Sequence, residues 1–238
     1  RVHSPFVYRF MVDVLDDDRF FYAFKEIEAY RKNLLNRKDA INFKELGAGS
    51  NKTNNTNRKV ADIAKYASAS PKLGRLLFRL AEYFAPARIL ELGTSLGLGT
   101  MYLASPNVHE SLISIEGDPS SALIAKNALI DFDNVDIRTG NFDDLLADLI
   151  VDFKPNLVYL DGNHQKEATI RYVNQLLPNM GENGILVLDD IYWSEGMQAA
   201  WQILKSRPEI SLSIDLYRCG LLFVGSGCRE KEEFMLKW

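Results

Sequence analysis

From Ala87 onward, short apolar runs recur at regular spacing and alternate with helical stretches, a rhythm that leaves few folds open. RILEL, SLISIE, VDIRT, NLVYLD and GILVLD are separated by segments of helical character near 100–104, 120–132, 142–151 and 167–177. A further helix over 195–205 leads to SLSIDL, and GLLFVG follows after a few residues around 217–219. Strands that are apolar along their whole length need cover on both faces, so the pattern predicts a parallel sheet wrapped by helices. The last connection is too short for a parallel crossover, which predicts that the final two strands form an antiparallel hairpin. The expected class is α/β, with a seven-stranded sheet whose last strand runs backwards.

A chain of 238 residues holds one large domain of this kind or two small ones. Its 47% hydrophobic and 25% charged residues match a globular protein with a substantial core. The formal net charge of −4 offers no basic face, so no nucleic-acid partner is expected. Cys219 and Cys228 are too few for a disulfide framework and lack a second pair at zinc spacing, so reduced thiols are expected. No apolar run reaches the roughly 18 residues of a membrane span, and RVHSPFVYRFMVDVL has no signal-peptide core. A cytoplasmic protein without membrane contact is the expectation.

The first 85 residues break the rhythm and read as a separate N-terminal helical cap or lid (1–85) ahead of the main domain (86–238). Phe20, Phe24, Ile27, Tyr30 and Leu34 recur at helical intervals, and two more helices are predicted near 60–67 and 73–84, the second bounded by Pro71 and Pro86. Between them lies GAGSNKTNNTNRK, too polar to build a core and expected to be a mobile loop. The aromatic residues Phe6, Tyr8, Phe10, Phe20, Phe21 and Tyr22 are read as core, with an acceptor pocket or a homodimer contact as alternatives.

Chemistry concentrates where the strands end. ILELGTSLGLGT carries Glu91 at the close of a buried strand, then glycines at 93, 97 and 99. Gly93 and Gly97 would let backbone approach a ligand where a Cβ would clash, at the place where open α/β sheets bind their ligands. A dinucleotide fingerprint would need glycine at Ser95 and Leu98, which argues against NAD. Glu116 ends the second strand, positioned to accept from two ribose hydroxyls. Asn141 and Phe142 follow the third strand; they flank an adenine or, alternatively, cap the next helix and pack in the core. Asp161 ends the fourth strand, and His164 is a candidate base for an attacking hydroxyl or an ordinary structural histidine. Asp189 and Asp190 end the fifth strand on the same rim. Three carboxylates there would repel unless a proton or a cation intervened, and oxygen ligands suit Mg²⁺ or Ca²⁺; otherwise one caps a helix and one faces water.

Taken together, these motifs resemble the class I S-adenosylmethionine-dependent methyltransferases, which have a Rossmann-like sheet. Within them the chain looks like the small-molecule O-methyltransferases of the catechol and caffeoyl-CoA type, over Ala87 to about Gly225. HSPFV and LGAGS suggest a bacterial branch. The resemblance implies that Glu91, Gly93, Thr94, Ser95 and Gly97 line the methionine part of the cofactor. It implies that Glu116 holds the ribose, Asn141 and Phe142 lie near the adenine, and Asp161 sits by the methyl donor as first metal ligand. Metal-dependent relatives carry Asp-Asn after the fifth strand, where this chain has Asp189-Asp190 with Trp193 following. Catechol-type enzymes carry a lysine after the fourth-strand aspartate; His164 stands here, as in metal-free relatives with an Asp-Gly-x-His stretch. The implied activity is O-methylation of a small molecule. Alternatives are a cofactor-binding domain without turnover and a nicotinamide-dependent oxidoreductase.

Overall fold

The computed structural model describes residues 4–45, 54–181, 183–225 and 231–238. The N-terminal segment forms α1 (Pro5–Phe10), a π-helical turn (Met11–Leu15), α2 (Tyr22–Leu35), the strands β1 (Ala40–Glu45) and β2 (Asn54–Lys59), α3 (Val60–Tyr66) and α4 (Pro71–Phe84). Pro71 opens α4 where its missing N–H costs nothing, and Ser70 caps it by accepting from the Leu73 N–H. Pro86 follows the left-handed Ala85 and closes it.

The alternating segment then delivers β3 (Arg88–Leu92), α5 (Leu98–Ala104), β4 (Ser111–Glu116), α6 (Pro119–Ala128), β5 (Val135–Thr139) and α7 (Phe142–Phe153). It continues through β6 (Leu157–Leu160), α8 (Lys166–Leu176), β7 (Ile185–Asp189), α9 (Glu195–Lys205), β8 (Ile210–Asp215), β9 (Cys219–Val224) and β10 (Glu232–Met235). The sheet order is β10-β8-β9-β7-β6-β3-β4-β5. Only β9 runs against its neighbours, antiparallel to both β7 and β8. The predicted α/β sheet with a reversed last hairpin is therefore present. β10 adds an eighth strand, parallel to β8 at the edge, that no apolar pattern announces.

Side chains alternate across the sheet, as a pleated strand requires. Ile89, Tyr159 and Val187 face one core layer, shared with Phe10, Phe24 and Leu77 of the N-terminal segment. Leu90, Val158 and Leu186 face the other, packed under Tyr172, Trp201 and Leu204 of α8 and α9. α1, α2 and α4 thus cover a sheet face rather than the strand ends. Of the N-terminal aromatics, Phe10 is core, but Phe6, Tyr8 and Tyr22 are exposed, because each helix buries a single stripe, and Phe20 is exposed just before α2.

The polar stretch differs from its expectation. Asn54–Lys59 is a strand, paired antiparallel with Ala40–Glu45 in register Ala40↔Lys59 through Glu45↔Asn54. Residues 46–53, Cys228 and His3 lie outside the described residues. The β1–β2 hairpin stands on α6: the Lys44 N–H donates to Asp118 Oδ1 at 2.8 Å and Ser120 Oγ donates to the Asn42 carbonyl at 3.2 Å. Among the described residues no helix is long and apolar enough to cross a membrane.

Candidate active site

Strand order switches beside β3, whose neighbours are β4 and β6. A cleft of about 560 Å³ opens at the carboxyl ends there, walled by Gly93, Glu116, Phe142, Asp161, His164 and Arg218 among others. Its size and its position at a topological switch are those of a small-molecule site.

The turn after β3 is built from buried hydrogen bonds. Gly93 has φ +111°, and a Cβ there would lie 2.0 Å from the Asp161 carbonyl oxygen, so only glycine lets the β3 and β6 ends approach. Glu91 is fully buried below the turn, accepting from Thr100 Oγ1 and Ser114 Oγ at 2.5 Å each. Thr94 Oγ1 hydrogen-bonds Ser114 Oγ in turn. Burial pushes the Glu91 carboxyl up to about 7 against the pull of those hydroxyls.

At the end of β4, Glu116 accepts from the Ser95 N–H (2.7 Å) and the Asp118 N–H (2.8 Å), one on each oxygen. Burial lifts its carboxyl to about 7 despite these bonds. Each oxygen keeps a second lone pair, so the carboxylate retains capacity for two further donors. Asp118 is buried; it caps α6 by accepting from the Ser121 N–H and holds β1 through Lys44. The hairpin brings Phe43, Lys44 and Arg58 to the cleft wall, the Arg58 guanidinium 4.3 Å over the Phe43 ring.

Asn141 caps α7, its side chain accepting from the Asp143 N–H at 3.1 Å, while it also lines the cleft. Phe142 meets Tyr172 edge-on, with centroids 5.7 Å apart, and its rim would lie 2.8 Å from a Cβ on Gly162. It is partly buried and lines the cleft as well, so capping and packing do not remove these two residues from the cleft wall.

Beyond β6, Asp161 Oδ2 accepts from Tyr159 Oη at 2.9 Å, and His164 Nε2 stands 3.6 Å from Asp161 Oδ1. His164 Nδ1 is buried without a partner among the described residues. Asn163, at φ +53°, donates to Tyr172 Oη at 3.1 Å and fixes the turn that carries His164. Burial first, and the charge of Asp189 second, raise Asp161 well above the carboxylate range.

The third wall is where Asp189 and Asp190 close β7. Asp189, 1% exposed, accepts from Arg218 Nε at 3.1 Å and Nη2 at 3.2 Å. Arg218 Nε also lies 3.1 Å from Asp190 Oδ1. These bonds hold the guanidinium protonated well beyond its ordinary range. The three rim carboxylates do not fit a divalent cation in this arrangement. Asp189 Oδ1 already accepts from Arg218 and the Asp190 N–H and Oδ2 from Arg218, and the described residues contain no group of three His, Cys, Asp or Glu side chains arranged to hold a metal.

Of the residues expected to touch a cofactor, Gly93, Glu116, Asn141, Phe142 and Asp161 line the cleft. Glu91, Thr94 and Gly97 do not. The first two are spent on the hydroxyl relay, and Gly97 makes room for α6, where a Cβ would meet the Ala125 and Leu129 side chains at 3.2 Å. Ser95 does not line the cleft either, its Oγ donating to the Ala67 carbonyl at 2.8 Å. Sequence reasoning missed Asp118 and Arg218. The first has a readable signal, an aspartate before Pro119 at a helix start; the second has none in its own neighbourhood.

Residues 90–191 match a family described as "Methyltransferase domain". An 82-residue stretch is 37% identical to the "Transmembrane O-methyltransferase" of Propithecus coquereli, covering 34% of this chain and 27% of that protein. The chain therefore spans about a quarter of the length of the curated relatives it matches. Among solved structures, the SAH-bound methyltransferase of Podospora anserina superposes with a TM-score of 0.65 at 15% identity, over 95% of this chain and 98% of that one. The O-methyltransferase TomG of Streptomyces achromogenes, solved with SAM, gives 0.61 at 20% identity over 93% and 95%. Residues 90–191 are thus similar to a methyltransferase domain, and the chain shares the fold of these solved structures.

Proposed function

We propose that the chain is an S-adenosylmethionine-dependent O-methyltransferase acting on a small molecule, with His164 as general base. The observation that carries this reading is the pairing of His164 with Asp161, 3.6 Å apart, on the wall of a cleft that also presents the Gly93 turn and Glu116. When bound, the cofactor supplies a methyl group made electrophilic by its sulfonium sulfur. Glu116 would accept from the two ribose hydroxyls with its remaining lone pairs, and Phe142 offers a flat apolar surface to the adenine. His164 takes the acceptor's hydroxyl proton, with the Asp161 carboxyl 3.6 Å from its Nε2, too far for a hydrogen bond. The rest of the protein's share is positioning.

Residues 1–85 act as a cap on the 86–238 domain, with the β1–β2 hairpin and the turn at Tyr66, Ala67 and Ser68 reaching the cleft and helping to select the acceptor. We assign the protein to the cytoplasm, with no nucleic-acid partner and a homodimer as its candidate assembly. Isothermal titration with S-adenosylhomocysteine tests the central claim. Saturable binding of one molecule per chain is expected; the absence of both binding heat and a thermal shift at about 1 mM ligand would defeat it.

A further inference from the structure

Three acids end two adjacent strands at the cleft, and something must separate their charges. The structure supplies that group from within the chain. β9 is antiparallel to β7 in the register Asp189↔Cys219, so the residue just before β9 meets the carboxyl end of β7. That residue is Arg218, which binds both oxygens of Asp189 and approaches Asp190 Oδ1 with the same Nε. Fork-on-carboxylate pairing is the strongest geometry a guanidinium makes.

The turn that carries Arg218 is braced on every side. Asp215 accepts from the Tyr217 N–H (2.8 Å), from Tyr192 Oη (2.6 Å) and from Trp201 Nε1 (3.2 Å). The Tyr192 and Tyr217 rings stack with centroids 5.1 Å apart, and the Arg218 N–H donates to the Leu216 carbonyl. Tyr217 is held at φ +68°, a conformation a bulky residue adopts only when its surroundings impose it. A divalent ion at Asp189 would find only the remaining lone pair of Oδ2, beside a fixed positive charge. Nη1 bonds to no described residue, and Arg218 lines the cleft, which leaves donors for an acceptor's oxygen.

We propose that Arg218 is the resident counter-cation of the Asp161–Asp189–Asp190 rim, so that methyl transfer by this chain proceeds without a divalent metal. The transfer itself rests on the function proposed above; the occupancy of the rim does not. The experiment titrates Mn²⁺ alone into the full chain saturated with S-adenosylhomocysteine, for the wild type, Arg218→Gln and Arg218→Lys. No saturable Mn²⁺ binding up to about 1 mM is expected for the wild type or for Arg218→Lys, which keeps the charge. Arg218→Gln uncovers the carboxylates and should bind one Mn²⁺ per chain at least about 10-fold more tightly than the wild type. Stoichiometric Mn²⁺ binding by the wild type, or a folded Arg218→Gln that stays silent, overturns the proposal. Should Arg218→Gln fail to fold, the wild-type melting temperature still decides: it should not move with Mn²⁺ or with a chelator, and a rise with Mn²⁺ that chelation reverses would refute the idea. Loss of S-adenosylhomocysteine binding would sink the methyltransferase reading and leave the Mn²⁺ contrast standing.

Discussion

Replacing Glu91 with Gln probes a carboxyl group that burial makes costly to ionise. In the unfolded chain the group titrates near 4.5, and in the fold it is pushed up to about 7. Between those values the folded chain holds a proton that the unfolded chain has released, so stability falls as pH rises through the window. The full cost is in force above about 7 and amounts to about 3 kcal/mol. Gln cannot ionise and escapes it. Its oxygen can still accept from Thr100 and Ser114, but its amide nitrogen takes the place of Oε1, which has no partner among the described residues, at a cost of about 1 kcal/mol. Glu91→Gln should therefore be about 1 kcal/mol less stable than the wild type near pH 3.5, roughly equal to it near pH 5 and about 2 kcal/mol more stable near pH 8. Urea denaturation of both proteins across that range measures the difference. Glu116 also sits at about 7, but it is present in both proteins and largely cancels. A stability difference that stays constant with pH would refute the reasoning.

Gly93→Ala forces a Cβ to 2.0 Å from the Asp161 carbonyl at φ +111° and should cost at least about 3 kcal/mol, read as a lower melting temperature with loss of S-adenosylhomocysteine binding. Asp118→Ala removes the α6 cap and the anchor of Lys44, with an expected loss of about 2 kcal/mol; amide exchange should quicken in Ala40–Glu45, and unchanged protection there would contradict the anchoring role. His164→Ala should lower kcat about 100-fold with S-adenosylhomocysteine affinity intact, and unaltered turnover would remove His164 from the chemistry.

The parallel sheet was legible because β3, β6 and β7 are mostly apolar on both alternating faces, which only a doubly covered strand tolerates. The β1–β2 hairpin was not. NNTNRK contains no apolar residue, and it is a strand only because β1 pairs with it while Asp118 and Ser120 hold β1 on α6. β10 is short and mostly exposed for the same reason: an edge strand needs one partner and little burial. Arg218 lies 29 residues from Asp189 in the chain, and only the insertion of β9 beside β7 joins them. Once GLLFVG is paired antiparallel with GILVLD, however, the residue before it must reach the rim, so the ion pair follows from topology rather than from motif.

The strand-end acids also explain why sequence reading assigned too many of them to ligands. Ser95, Asp190 and Tyr217 have left-handed backbones at this one rim, a costly conformation for residues with a Cβ. In each case the backbone N–H of the left-handed residue donates to a carboxylate: Ser95 to Glu116, Asp190 to Asp189, and Tyr217 to Asp215. Charge-assisted bonds of this kind offset the conformational cost and fix the turns before any ligand arrives. The left-handed Ala85 and Lys154, by contrast, merely terminate α4 and α7, where the backbone supplies its own hydrogen bonds. An acid at the end of a parallel strand therefore has a first duty to the turn that follows it, and only the lone pairs left over can face the cleft. Glu116 meets both demands because it lines the cleft with one lone pair free on each oxygen, whereas Asp189 Oδ1 is filled by Arg218 and the Asp190 N–H and only its Oδ2, already bonded to Arg218, keeps one.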